Sequence, residues 1–170
     1  MTGPATPADL FERLNRLDIS YKTIKHPPLF TVEHSQALRG ELDGGHAKNL
    51  FLKNKKGRMW LLVAEESAHI NLKAFAKMIG AGNLSFGKPE LLMDMLGVIP
   101  GAVTPFALIN AEPGSITPLF DQDLLAEDPL NFHPLDNTMT TTIAKADLLR
   151  FIEALGHNYE KVDLKAIEAA

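Results

Sequence analysis

Cysteine is absent from the 170 residues, which excludes a disulfide framework, a thiolate zinc site, an iron–sulfur cluster and a cysteine nucleophile. Any catalysis has to rest on other groups. Long apolar runs are missing as well: Leu61-Leu62-Val63-Ala64 is among the longest, far short of the roughly 20 residues that span a bilayer. The opening Met1-Thr2-Gly3-Pro4 carries neither the basic nor the apolar region of a secretion signal, so a cytoplasmic location is expected. Nor is there an excess of positive charge. Seventeen Lys and Arg stand against 21 Asp and Glu, for a net charge of −4 and a pI near 5.8. Proteins that grip long stretches of nucleic acid neutralise many phosphates and are usually basic. A long nucleic-acid groove is therefore disfavoured, while a small local contact is not.

Several catalytic signatures are also lacking. The glycine-rich stretch Gly40 to Lys48 suggests a phosphate loop, but His46 follows Gly45 and Asn49 follows Lys48, where such a loop needs Lys and then Ser or Thr. There is no GxGxxG. The histidines at 26, 34, 46, 69, 133 and 157 form no His-x-x-x-His or His-Glu-x-x-His pair, and no Gly-x-Ser-x-Gly occurs, so neither a local metal signature nor a serine triad is present. No cofactor and no metal are expected.

What is there reads as one ordinary globular domain over residues 1–170, with 45% hydrophobic and 22% charged residues and enough chain to bury a core unaided. Thr6-Pro7-Ala8-Asp9 starts a helix carrying Leu10, Phe11, Leu14 and Leu17. Tyr21 to Lys25 alternates like a strand that His26-Pro27-Pro28 ends. Thr31 can cap a helix to about Leu38. Ala47 to Lys53 and Arg58 to Ala64 read as strands joined by a tight hairpin at Asn54-Lys55-Lys56-Gly57. Asn71 caps a helix through Ile79, and another covers Glu90 to Leu96. Residues 97–105 form an ordered loop feeding an expected strand, Phe106 to Asn110. Further strands are expected near Ile116 to Phe120 and Leu130 to His133, with a turn at Glu112-Pro113-Gly114-Ser115, before a helix from Lys145 to Leu155. The mixture predicts an α/β, or mixed α+β, domain around one mainly antiparallel sheet surrounded by helices.

Three segments are candidates for chemistry. Alternation sends Lys48, Leu50 and Leu52 to one face of their strand and Asn49 and Phe51 to the other. A lysine on a face with core leucines either snorkels at the strand's edge or has an anionic or carbonyl partner. Pro100-Gly101-Ala102-Val103-Thr104-Pro105 is fixed at both ends by proline, so its N–H groups could face a carbonyl or carboxylate; a tight crossover without a ligand is the alternative. Asn131 to Thr142 is a dense polar run that either belongs to a site or serves as caps and turns.

Together these segments resemble the YbaK/ProX family of aminoacyl-tRNA deacylases. The matching pieces are His26-Pro27-Pro28-Leu29-Phe30-Thr31-Val32-Glu33, His46 to Lys53 with the hairpin and Trp60-Leu61, Leu84-Ser85-Phe86, Pro100 to Leu108, and Asn131-Phe132-His133-Pro134-Leu135 with Asn137-Thr138 and Thr140-Thr141. They stand in family order from Leu10 to about His157. Within the family the chain is most similar to free-standing prolyl-tRNA editing proteins that hydrolyse mischarged alanyl-tRNA(Pro). The resemblance implies a YbaK-like fold, Lys48 as the essential lysine, and Gly101, Ala102, Val103, Thr104 and Pro105 as the glycine-to-proline loop that meets the substrate. His133 is a reserve general base, and Leu29 and Val32 join Val103 as apolar walls of the pocket. Lys53, Lys73, Lys77 and Lys88 are expected to touch the acceptor end of aminoacyl-tRNA, and prolyl-tRNA synthetase is a candidate partner. DNA and membranes are not. Ala47 departs from relatives that often carry a hydroxyl there, which puts a hydroxyl role at that position in doubt. Alternatives are a family member acting on cysteinyl- or seryl-tRNA, or a noncatalytic module that binds aminoacyl-tRNA or the synthetase.

Overall fold

A computed structural model describes residues 3–28 and 44–168; the helix expected from Thr31 to Leu38, and with it Leu29 and Val32, lies outside the described residues. The first helix, α1 (Pro7–Arg16), starts on a reciprocal cap: Thr6 Oγ1 accepts from the Asp9 N–H at 3.2 Å and Asp9 Oδ2 accepts from the Thr6 N–H at 2.9 Å. Both donors would otherwise be orphans of the first turn. Hydrogen bonds from the Thr6 N–H, and more weakly from its hydroxyl, hold the Asp9 carboxyl below its ordinary pKa. Strand β1 (Tyr21–Lys25) follows, then β2 (Gly45–Lys53) and β3 (Met59–Glu65) as an antiparallel hairpin. Its turn is tied by Asn54, whose Oδ1 accepts from the N–H groups of Lys56 and Arg58 at 3.1 and 2.9 Å, while Gly57 takes a φ of 84°.

Helix α2 (Leu72–Ile79) is capped by Asn71 Oδ1 on the Ala74 N–H at 3.1 Å and closed by Gly80 at φ 68°. A two-residue strand β4 (Ser85–Phe86) and helix α3 (Pro89–Leu96) come next. The chain then makes two 3₁₀ turns, Pro100–Ala102 and Pro105–Asn110, before β5 (Thr117–Asp121), a 3₁₀ turn at Leu124–Ala126, β6 (Leu130–Phe132), β7 (Met139–Ile143), α4 (Lys145–Ala154), β8 (Glu160–Val162) and α5 (Lys165–Glu168). Residues Phe106 to Asn110 are thus helical and not the strand expected. Pro105 stands at the first helical position with Thr104 as its cap, and Phe106, Ala107 and Leu108 are all fully buried. A short apolar run buried all round has no periodicity to tell helix from strand.

The sheet is mixed and eight-stranded, in the order β1-β7-β6-β2-β3-β5-β8, with β4 pairing β2 off this path. Four pairings are antiparallel (β1/β7, β6/β7, β2/β3, β2/β4) and three parallel (β2/β6, β3/β5, β5/β8). Alternation along β3 divides the core. Leu61 and Val63 join a cluster with Leu10 and Leu14 of α1, Leu92 and Leu96 of α3, and Phe151 and Ile152 of α4. Trp60, Leu62 and Ala64 join a smaller cluster with Phe75 and Ala76 of α2. All five of these β3 side chains are buried, so the strand is covered on both faces and anchors a three-layer arrangement. Among the described residues no helix is long and apolar enough to cross a membrane.

Candidate active site

The alternation expected along β2 is present. Leu50 and Leu52 pack in the smaller cluster and Phe51 in the larger one. Lys48, opposite Ala64, takes the same side as Leu50 and Leu52; it is half-buried, and its Nζ donates to the Ala68 carbonyl just beyond β3. The carbonyl partner that a lysine on this face requires is therefore supplied by the chain itself. Asn49 takes the other side, and among the described residues its buried Oδ1 has no hydrogen-bond partner.

The glycine-to-proline loop packs with that other side. Ala102 belongs to the larger cluster and Val103 lies against it. Its polar groups divide in an informative way. The Ala102 N–H donates to the Ile99 carbonyl at 2.9 Å, the Ala107 N–H to the Thr104 carbonyl at 3.1 Å, and the Phe106 N–H to Thr104 Oγ1 at 3.3 Å. Among the described residues the N–H groups of Gly101, Val103 and Thr104 donate to no acceptor, although Thr104 is fully buried. Backbone donors left without partners away from water are rare, and adjacent ones are the chemical form of an oxyanion site. The loop is braced at both ends: Asn110 accepts from the Ala5 N–H at 2.8 Å and donates to the Leu96 carbonyl at 2.9 Å, and His157 Nε2 donates to the Leu108 carbonyl at 3.0 Å.

His133 sits one residue past β6. The last registered pair between β2 and β6 is His46 with Asn131, so two residues further on His133 is level with Lys48 where the strands part. Its Nδ1–H donates to the Met139 carbonyl at 2.8 Å, which leaves Nε2 as the lone-pair nitrogen of the neutral ring. Among the described residues Nε2 has no partner. Burial lowers the His133 pKa, opposed by the Met139 bond and reinforced by the nearby His26. The rings of His26 and His133 lie 6.0 Å apart, and His26 Nε2 meets Thr140 Oγ1 at 2.8 Å. Asp136 binds both the N–H and the hydroxyl of Thr138, at 2.7 and 2.6 Å, bonds that lower its pKa. Leu135, between them, takes a φ of 68°, a left-handed conformation that is an outlier for a bulky residue and of the kind that collects at functional loops. Asn137 is buried, and among the described residues its Nδ2 has no partner.

The structure thus sets Asn49 and the loop against one core cluster and Lys48 against the other, with the His133 loop at the end of the sheet between β1 and β2. Lys53 ends β2 beside β4, Lys73 and Lys77 lie exposed one turn apart on α2, and Lys88 precedes α3. Asn49 and Asn137 lie inside the segments read from sequence but were given no site role there. For Asn49 the available signal was a polar residue alternating with Phe51 toward a core. No group of three or more His, Asp or Glu suited to a metal occurs among the described residues.

Comparison with known proteins agrees with this architecture. The chain is 33% identical over 153 residues to the prolyl-tRNA editing protein ProX of Acetoanaerobium sticklandii, covering 89% of this chain and 93% of that one. It is 38% identical over 151 residues to the prolyl-tRNA synthetase associated domain-containing protein 1 of Danio rerio, covering 88% and 82% respectively. A solved structure provisionally assigned as a trans-editing enzyme for prolyl-tRNA synthetase shares the fold, with a TM-score of 0.70 at 19% identity over 94% of this chain and 96% of that one. The sequence model of the aminoacyl-tRNA editing domain matches residues 26–151, and the chain belongs to that family.

Proposed function

We propose that this editing-domain protein is a trans-acting deacylase, one domain over residues 1–170, whose substrate is alanyl-tRNA(Pro) in the cytoplasm. The observation that carries the reading is the 33% identity to ProX over nearly the full length of both chains. The need for such an enzyme is physical. A synthetase pocket that admits proline cannot strongly exclude the smaller alanine, because a missing methylene changes binding by only about 1–3 kcal/mol. A second, tighter site can then destroy the product that fits it.

The aminoacyl ester is already activated, so hydrolysis calls for orientation, a placed water and a stabilised oxyanion. Water adds to the ester carbonyl, the tetrahedral oxyanion collapses, and alanine leaves from the terminal ribose oxygen, which takes up a proton. The free amides of Gly101, Val103 and Thr104 supply the oxyanion contacts, with Ala102 and Pro105 fixing their direction. Val103, with Leu29 and Val32 from outside the described residues, limits pocket size. The neutral His133 accepts a hydrogen bond at Nε2 from the water or the substrate ammonium. Lys48, on the opposite side of β2 from the loop, acts as a point charge for a terminal phosphate, exchanging the Ala68 carbonyl for it. The neighbouring ribose hydroxyl activates the water. Lys53, Lys73, Lys77 and Lys88 hold the acceptor end, and the names of the relatives support prolyl-tRNA synthetase as partner.

The test is a panel of tRNA(Pro) charged with alanine, cysteine, serine or proline, incubated with purified protein. Alanine is expected to be released fastest and proline spared. Faster release of cysteine or serine reassigns the pocket, and no release from any of the four refutes the deacylase reading.

A further inference from the structure

The acidic total conceals a segregation of charge. Residues 44–89 hold eight of the 17 Lys and Arg and only two carboxylates, Glu65 and Glu66, whereas the remaining 124 residues hold nine cations and 19 carboxylates. The fold gathers this segment together. Strand β2 pairs β3 on one side and β4 on the other through Leu52 with Phe86 and Lys53 with Ser85, and Asn54 Nδ2 clasps the hairpin to the turn after α2 by donating to the Ala81 carbonyl at 3.0 Å. Lys55, Lys56 and Arg58 on one wall and Gly80, Gly82 and Asn83 on the other enclose a concavity of about 400 Å³. Among the described residues none of the segment's Lys and Arg makes an ion pair. Arg58 instead lies over the Trp60 ring, 5.0 Å from its centroid.

Beside these cations stands an aromatic ring with no structural employment. Phe86 is 56% exposed, more than any other large apolar side chain among the described residues, on the outer edge of a strand that pairs only with β2. Cross-strand partners share a face, but Leu52 and Trp60 are buried against Phe75 and Ala76 of α2, so Phe86 is the exposed end of that row, at the edge of the sheet.

We infer that the β4 edge and the hairpin tip form a track for the acceptor strand: Phe86 stacks on an unpaired base, Lys53 and Lys88 beside it meet adjacent phosphates, and Lys55, Lys56 and Arg58 take a phosphate of the stem. The inference rests on the deacylase reading for its choice of nucleic acid. Aromatic stacking flanked by cations is the general chemistry of single-strand binding, and the absence of carboxylates over 67–89 removes the repulsion that the rest of the surface would exert.

The experiment measures fluorescence anisotropy with uncharged tRNA(Pro), and with the same tRNA lacking its unpaired 3′ nucleotides, across a salt series. Phe86→Ala is expected to weaken binding of the intact tRNA about 5- to 150-fold, leave the truncated one unchanged, and be rescued by Phe86→Trp. The triple variant Lys55→Ala, Lys56→Ala, Arg58→Ala is expected to flatten the slope of log Kd against log salt by about 0.7–0.9 for each phosphate it no longer neutralises. An unchanged affinity in Phe86→Ala, an equal loss on both tRNAs, or an unchanged salt slope overturns the track. So does a Phe86→Ala effect confined to binding of the synthetase. Because binding needs no hydrolysis, a protein that binds in this way and deacylates nothing refutes the enzyme reading and supports the track.

Discussion

Lys48→Met separates the two tasks that the structure gives this residue. Methionine keeps an unbranched stem beside Leu50 and Leu52 and removes only the ammonium that donates to the Ala68 carbonyl. A hydrogen bond with one charged partner contributes about 1.5–3 kcal/mol. Lys48 is half-exposed, so water can replace the lost donor and the lower end applies. For a chain of this size each kcal/mol moves Tm by about 2–4 °C, which gives an expected fall of roughly 3–6 °C with the fold intact. If the ammonium also holds the terminal phosphate and so positions the ester, its loss lowers kcat/KM by about 10²-fold, the cost of misplacing a substrate by about 1 Å. Lys48→Arg is expected to recover only part of this, since a planar fork replaces a compact point charge. The assay is release of alanine from alanyl-tRNA(Pro), paired with a thermal melt on the same preparations. A Lys48→Met protein that melts several degrees early but deacylates within about threefold of the parent would falsify the catalytic assignment and make Lys48 a strut for the Ala68 segment.

The pH dependence follows from His133. Burial lowers its pKa from 6.5, so the neutral ring persists below that value, and the acid limb of kcat/KM is expected below pH 6.5 and is expected to vanish in His133→Gln; a limb at or above 6.5 in the parent refutes the role. The unfolded chain takes up the proton first, so this group leaves stability flat above pH 6.5 and lowers it as pH falls from 6.5 toward the folded value, which melts of the parent and the variant can read. Gly87→Ala probes the seat of β4. An added Cβ there would lie 2.4 Å from Cδ2 and Cε2 of Phe51, a ring only 4% exposed, and would strain the Gly87 N–H bond to the Phe51 carbonyl at 2.9 Å. Overpacking of this kind costs about 1–3 kcal/mol, and an unchanged Tm would show that the ring has room to move.

Elements written in local chemistry were legible from sequence. The Thr6–Asp9 cap, the Asn54–Gly57 turn and the Asn71 and Gly80 ends of α2 all stand where side-chain and glycine preferences put them. What escaped depended on distant partners. Strand β7 was concealed in a polar run because its threonines are satisfied across the sheet: Thr141 Oγ1 meets Thr23 Oγ1 at 2.7 Å and Thr142 Oγ1 donates to Asn131 Oδ1 at 2.5 Å. No pattern within Asn131 to Thr142 contains Thr23. The short β8 was missed for a related reason, since its place beside β5 is a long-range parallel pairing. At the candidate site the loop and His133 could be named from sequence, but their polar accounts could not. The Val103 and Thr104 N–H groups, Asn49 Oδ1 and Asn137 Nδ2, all without partners among the described residues, and the fixed tautomer of His133 are properties of packing.

The uneven charge of the chain bears on how it meets its substrate as much as on where. With eight cations and two carboxylates in residues 44–89 and the opposite imbalance elsewhere, the molecule behaves as an electric dipole. Far from a polyanion its net −4 repels, and only within a Debye length, about 8 Å at physiological salt, does the near face decide. There the field exerts a torque: an acidic face is pushed off and a basic face drawn in. Encounters are then sorted by orientation before any contact forms, and salt acts chiefly on the association rate, through the loss of that alignment.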